Sequence, residues 1–153
     1  MYTNILVPVA PDHGAVIANS MRAARALLSP GGKLTVLTVI EAIPSYISQY
    51  LPQDQQDRNV AETKDQLAAE FAGQPDVSTL VKVCHAAQTI LDVAEEGKHD
   101  CVIIASHRPG MQDYFLGSTA ARVVRHAQCG VHVLRGQRRG AVPRPLSAAC
   151  GMG

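Results

Sequence analysis

Cys101-Val102-Ile103-Ile104-Ala105-Ser106-His107-Arg108-Pro109-Gly110 runs into Met111-Gln112-Asp113-Tyr114-Phe115-Leu116-Gly117-Ser118-Thr119. Residues 101–105 are apolar without polar alternation, which predicts a strand covered on both faces. A loop from Ser106 to about Leu116 follows. Gly117-Ser118-Thr119 then opens a helix whose apolar stripe is Ala120, Val123, Val124 and Ala127. Val131-His132-Val133-Leu134 reads as one more strand. Strand, loop, helix and strand in that order make a parallel unit with a right-handed crossover.

The rest of the chain repeats this alternation. Asn4-Ile5-Leu6-Val7-Pro8-Val9 is a short apolar run ended by Pro11-Asp12, and reads as a buried strand. Ile17, Met21, Ala24 and Leu28 recur at helical spacing, with Pro30-Gly31-Gly32 read as the stop. Residues 34–40 form a second β-branched strand, and residues 41–56, with two prolines and two tyrosines, a long loop or short irregular helix. A helix is expected from about Asp57 to Ala72, with Val60, Leu67 and Phe71 as core contacts. Residues 79–84 make a third strand. Ala87, Ile90, Leu91 and Ala94 then mark a helix ended by Gly97. Five strands alternating with helices predict a three-layer, doubly wound α/β domain over residues 1–135. Residues 136–153, with Arg138, Arg139, Arg144 and two prolines, read as a basic, disordered tail.

With 153 residues and a 46% hydrophobic share, the chain is the size of one domain with a real core. No apolar run approaches the roughly 18 residues of a membrane span, and the start lacks the basic region of a signal peptide. A cytoplasmic location without membrane insertion is expected. The formal charge of +1 hides an asymmetry. Through His107 there are seven Lys and Arg against twelve Asp and Glu, and from Arg108 onward seven Arg against Asp113 alone. Three of those seven arginines fall in the tail. Arg122 and Arg125 read as a solvated helix face, and Arg135 ends the last strand, so no nucleic-acid partner is expected. Arg108 alone lies where an anion is expected.

Cys84, Cys101, Cys129 and Cys150 show neither a Cys-x-x-Cys pair nor zinc-finger spacing. Cys84 and Cys101, in apolar segments, read as buried structural thiols. His13, His85 and His99 fall at predicted turns or element ends, and His126 near a helix C-terminus. His132 lies in the last strand, and His107 alone in the candidate site. No cluster defines a metal or hydrolytic centre.

In an open parallel sheet, ligands bind beyond the carboxyl ends of the strands at the topological switch point. That rule selects the loops after the first, second and fourth strands. In the third of these, Gly117 lets a phosphate approach the backbone. The free N–H groups of the first helical turn face it, and the Ser118 and Thr119 hydroxyls can donate as well. Arg108 adds a permanent planar cation. Plain helix capping by Gly-Ser-Thr is the competing reading. There is no Gly-x4-Gly-Lys-Ser/Thr, no Gly-x-Gly-x-x-Gly after the first strand and no Gly-x-Ser-x-Gly. A response-regulator receiver needs acidic and Lys positions that are filled here by Asp12, Cys84-His85 and Arg135.

Five segments carry a family likeness. They are Ile5-Leu6-Val7-Pro8-Val9, Ile103-Ile104-Ala105-Ser106-His107-Arg108-Pro109, Tyr114-Phe115-Leu116-Gly117-Ser118, Val123-Val124-Arg125-His126-Ala127 and Val131-His132-Val133-Leu134-Arg135. Together they resemble the universal stress protein family, in its single-domain bacterial subgroup with a Ser-His-Arg-Pro loop. The resemblance implies a mainly parallel sheet of order 3-2-1-4-5 and ATP or AMP at the switch point, with Mg left open. It also implies a homodimer through Val131, His132, Val133 and Leu134, with a tetramer left open.

Carried over residue by residue, Pro8, Val9, Ala10 and Val39 would border the adenosine, with Ile104 and Ala105 beneath it. Ser106, His107 and Arg108 would line the loop, and Gly117, Ser118 and Thr119 would hold the phosphates. Two departures stand out. The family's Gly-x2-Gly-x9-Gly-Ser/Thr pattern keeps only its end, with Ala105 at the first glycine. The acid that often follows the first strand is Ala10, and Asp12 comes two residues late. Two functions follow. One is a nucleotide-responsive regulator in stress adaptation, not an enzyme beyond slow ATP hydrolysis or self-phosphorylation. The other is a nucleotide-free dimeric module acting on an unidentified protein client such as a membrane transporter. A small α/β hydrolase lacks its nucleophile here.

Overall fold

In a computed structural model the described residues are 1–11, 14–50, 52–106 and 116–135. The elements are β1 (Tyr2–Val9), α1 (Gly14–Leu27), β2 (Leu28–Ile40), α2 (Ser45–Ser48), α3 (Gln53–Glu70), β3 (Val77–Val83), α4 (Ala86–Glu96), β4 (Cys101–Ala105), α5 (Ser118–His126) and β5 (Gly130–Leu134). The sheet has order β3-β2-β1-β4-β5, and every pairing is parallel. The chain therefore winds one way from β1 to β3 and the other way from β4 to β5. Its switch point lies between β1 and β4.

Alternation along the strands feeds two cores. Ile5, Val7, Leu34, Val36 and Ile103 point to one face, where they meet Ile17, Met21 and Ala24 of α1, Leu67 of α3 and Phe71 just past its end. Leu6, Leu37, Val102 and Ile104 point to the other and meet Ile90, Val93 and Ala94 of α4 with Ala120 and Val123 of α5. Burial on both faces explains why the central strands read as unbroken apolar runs.

Four expectations change. Pro30-Gly31-Gly32 does not stop the first helix ahead of a strand at residue 34, because β2 already begins at Leu28. The ladder pairs Tyr2 with Leu28 and then Asn4 with Lys33, so the turn-forming residues bulge out of an extended segment. Gly31 there takes φ +79°, open to glycine at no cost. The next helix starts at Gln53 rather than Asp57. Pro52 precedes it with φ −58°, and Asp54 lies in its first turn, where a carboxylate complements the dipole. Val124 is 45% exposed, because no strand beyond β5 continues the sheet under that flank of α5. Cys84 is exposed just past β3, an edge strand, whereas Cys101 is buried. The basic tail lies outside the described residues.

The start of β1 is tied to the turn before β4. Asp100 accepts from Thr3 N–H at 2.9 Å, Thr3 Oγ1 at 3.1 Å and Asn4 N–H at 3.1 Å. Asp100 N–H donates to Asn4 C=O at 2.9 Å, and Asn4 Nδ2 donates to Gly97 C=O at 2.9 Å.

Candidate functional site

Beyond the carboxyl ends of β1, β2 and β4 opens a cavity of about 470 Å³. Its floor is apolar. Pro8 and Val9 end β1, Leu37 and Val39 come from β2, and Ile104 and Ala105 from β4. Ala10 and Pro11 continue one wall beyond β1. The wall at the start of α5 is Ser106, Gly117, Ser118, Thr119 and Ala120. The opposite wall is Glu41, just past β2, with Ala86 and Ile90 of α4.

Backbone bonds hold the α5-side wall. Ser106 N–H donates to Leu134 C=O at 2.8 Å, extending the β4–β5 ladder by one residue. Gly117 N–H donates to Ser106 C=O at 2.7 Å, so the two stems of the intervening loop meet directly beside the cavity. Gly117 is the N-cap residue of α5 and, being glycine, gives it no side-chain cap, so Ser118 and Thr119 are its first-turn residues. The competing capping role therefore has no hydrogen bond behind it. Gly117 has φ −57° and ψ 152°, a conformation open to any L-residue. The backbone does not require glycine there. Gly117 lines the cavity at the helix N-terminus.

The opposite wall is organised by Glu41. Its Oε1 accepts the Ala86 N–H at 3.3 Å, supplying α4 with the cap that His85 does not give. Its Oε2 lies 4.0 Å from His85 Nδ1, at a largely exposed rim.

The structure thus gathers ten predicted residues around one cavity: Pro8, Val9, Ala10, Val39, Ile104, Ala105, Ser106, Gly117, Ser118 and Thr119. His107, Arg108 and Asp12 lie outside the described residues. Leu37, Ala86, Ile90 and Ala120 also line it and were not picked from the sequence, while Pro11 and Glu41 lie in loops that the switch-point rule selected but were not named as site residues. Ile90 and Ala120 show only a helical core period. That α4 leans over the end of β2 follows from β2 lying between β3 and β1, which periodicity does not reveal.

Shifted titrations cluster at the opposite, amino-terminal edge of the sheet. Burial pushes the Cys101 thiol up to about 11, and raises Cys129 as well. Burial lowers His99 against the pull of the Val93 and Ala94 carbonyls and Asp100. Burial would raise Asp100, but the hydrogen bonds from Thr3 and Asn4 outweigh it and hold the carboxyl low. The Arg25 hydrogen bond lowers Asp76. Among the described residues, no three His, Cys, Asp or Glu side chains converge as metal ligands, and no helix is long and apolar enough to cross a membrane.

Residues 1–135 match the family model described as universal stress protein family. The chain belongs to the universal stress protein family. Universal stress protein G of Salmonella typhimurium is 28% identical over 145 residues, covering 88% of this chain and 100% of the relative. Universal stress protein UspA from Lactobacillus plantarum superposes with a TM-score of 0.71 at 26% identity, over 88% of this chain and 98% of that one. A universal stress protein in complex with cAMP superposes at 0.56 with 20% identity, over 87% of this chain and 96% of that one. The mainly parallel sheet of order 3-2-1-4-5 that the resemblance implies is observed, with every pairing parallel.

Proposed function

We propose that this universal stress protein binds an adenine nucleotide, ATP or AMP, and acts as a nucleotide-responsive regulator in stress adaptation within the cytoplasm. The observation that carries this is the cavity at the switch point, apolar along its floor and walled at one end by the N-terminus of α5, where Gly117 is the N-cap residue. Adenosine lies over Ile104 and Ala105, between Pro8, Val9, Ala10 and Val39. The phosphates meet Gly117 and the N–H and hydroxyl groups of Ser118 and Thr119. Ser106 lines that end, the family resemblance adds His107 and Arg108, which lie outside the described residues, and Mg²⁺, where it enters, comes with the phosphates. That a universal stress protein of the same fold is described in complex with cAMP supports a nucleotide as the class of ligand.

Binding, with at most slow hydrolysis, is the chemistry proposed. Glu41, the one ionisable side chain among the described lining residues, stands across the cavity from α5 and is no base for a water attacking the phosphates. Regulation needs unequal affinity of the nucleotide for two conformations. The segment after β2 is the element proposed to differ between them, since Glu41 begins it and lines the cavity. The regulated unit is a homodimer. β5 pairs with β4 alone, and an uncovered edge invites a two-fold partner at Val131, His132, Val133 and Leu134. Sedimentation at micromolar concentration gives a dimer on this reading, and a monomer would refute it.

A second reading has one observation behind it: Ala10 lines the cavity where the family pattern often carries an acid. On it, the dimer has lost the nucleotide and docks on a protein client. Mass spectrometry of small molecules extracted from the purified protein separates the two. Co-purified ATP or AMP supports the first. Empty extracts together with no uptake of millimolar ATP and Mg²⁺ in dialysis support the second.

A further inference from the structure

Charge is distributed unevenly along the cavity. One end has the α5 N-terminus, whose first N–H groups carry partial positive charge. The other has Glu41, the one ionisable side chain among the described residues that line it. Glu41 follows β2 and Gly117 follows the loop after β4, so about two strand spacings, ~10 Å, separate the two ends. Ala86 N–H holds Glu41 Oε1 at 3.3 Å, while Oε2, with no closer partner than His85 Nδ1 at 4.0 Å, keeps its lone pairs available.

A carboxylate accepts hydrogen bonds and donates none. It repels a phosphate and rewards an N–H. Resting on the nucleotide reading above, we infer that Glu41 sets both the direction and the base preference of the bound nucleotide. Its charge turns the phosphates toward α5, and its Oε2 accepts an N–H from the exocyclic amine of a 6-aminopurine. Val39 and Ile90 flank the base with apolar surface and offer no side-chain acceptor for the amine, so among these side chains the Glu41 contact distinguishes a base with the amine from one without it. A hydrogen bond to a charged acceptor is worth a factor of about ten or more in affinity.

The test compares ATP with purine riboside triphosphate, which lacks only the amine, by calorimetric titration of the intact chain. The wild-type protein is expected to favour ATP about tenfold. Glu41→Ala removes the preference by weakening ATP while leaving the amine-free nucleotide unchanged or tighter. Glu41→Gln, which keeps a neutral acceptor for Ala86 N–H, retains a reduced preference and guards against a loss caused by an uncapped α4. Equal wild-type affinities, or a full preference surviving in Glu41→Ala, would overturn the role of Glu41 while leaving a nucleotide site. Failure of both triphosphates to bind the wild-type protein would overturn this inference together with the reading beneath it.

Discussion

Replacing Asp100 by Ala severs the main polar tie between the central strand β1 and the turn that launches β4. The carboxylate accepts three hydrogen bonds, from Thr3 N–H at 2.9 Å, Thr3 Oγ1 at 3.1 Å and Asn4 N–H at 3.1 Å. A hydrogen bond to a charged group contributes about 1.5–3 kcal/mol when its loss strands a buried partner. Thr3 is exposed, so water replaces most of what its two groups lose, whereas Asn4 N–H is half-buried between strands. About 2 kcal/mol in total is therefore expected. For a domain of this length that lowers Tm by roughly 6–8 °C. Urea unfolding followed by circular dichroism measures it. Asp100→Asn, which keeps one acceptor oxygen, should lose about half as much.

The same residue sets a pH signature. Its folded-state pKa is held below the unfolded value, so its contribution is complete above the usual carboxylate pKa of about 3.9 and disappears as pH falls through the lower folded value. The Asp100→Ala protein should accordingly show a flatter loss of stability in acid than the wild type. A wild-type-like midpoint, or a loss under about 0.5 kcal/mol, would refute the reasoning, because surface substitutions free of such ties fall in that range.

Two further outcomes concern the same edge of the sheet. A Cβ at Gly130 would come within 2.9 Å of Tyr2 Oη and 3.3 Å of its ring, so Gly130→Val should destabilise by about 1–3 kcal/mol in urea unfolding, and adding Tyr2→Ala should recover part of the loss. His99 is held neutral by burial, with its Nδ1 3.2 Å from Val93 C=O. Its depressed pKa means stability is full above the unfolded value of about 6.5 and declines as pH falls below it. His99→Gln should flatten the decline between pH 7.5 and 5.5, and an unchanged slope in that variant would contradict the assignment.

Much of this was legible because the central strands are buried on both faces. Residues 101–105 have no polar alternation, and their boundaries in the structure are those read from the sequence. Of the ten residues gathered at the cavity, Gly117, Ser118 and Thr119 were legible from the switch-point rule and the helix start, whereas Pro8, Val9, Ala10, Val39, Ile104, Ala105 and Ser106 were named through the family resemblance. Local signals misled where tertiary pairing overrode them. Pro30-Gly31-Gly32 has the chemistry of a stop, yet β1 holds the flanking residues in one extended strand and the turn survives as a bulge. Val124 belongs to an apolar stripe, but a helix at the sheet margin can bury only part of its face. Glu41 was missed because a carboxylate at the head of a loop looks solvated. Its meaning comes from Ala86, 45 positions away in the chain, whose N–H it holds.

The central claim is that the N-terminus of α5 receives the phosphates of an adenine nucleotide, and Gly117 tests it most directly. Its backbone conformation accepts any L-residue, so Gly117→Val should keep the fold while placing methyl groups where a phosphate would approach. Equilibrium dialysis with ATP and Mg²⁺ should then show saturable binding to the wild-type protein and at least a tenfold loss in a Gly117→Val protein of unchanged circular dichroism. Equal ATP affinity in the two proteins, or no wild-type binding at millimolar nucleotide, would contradict the account.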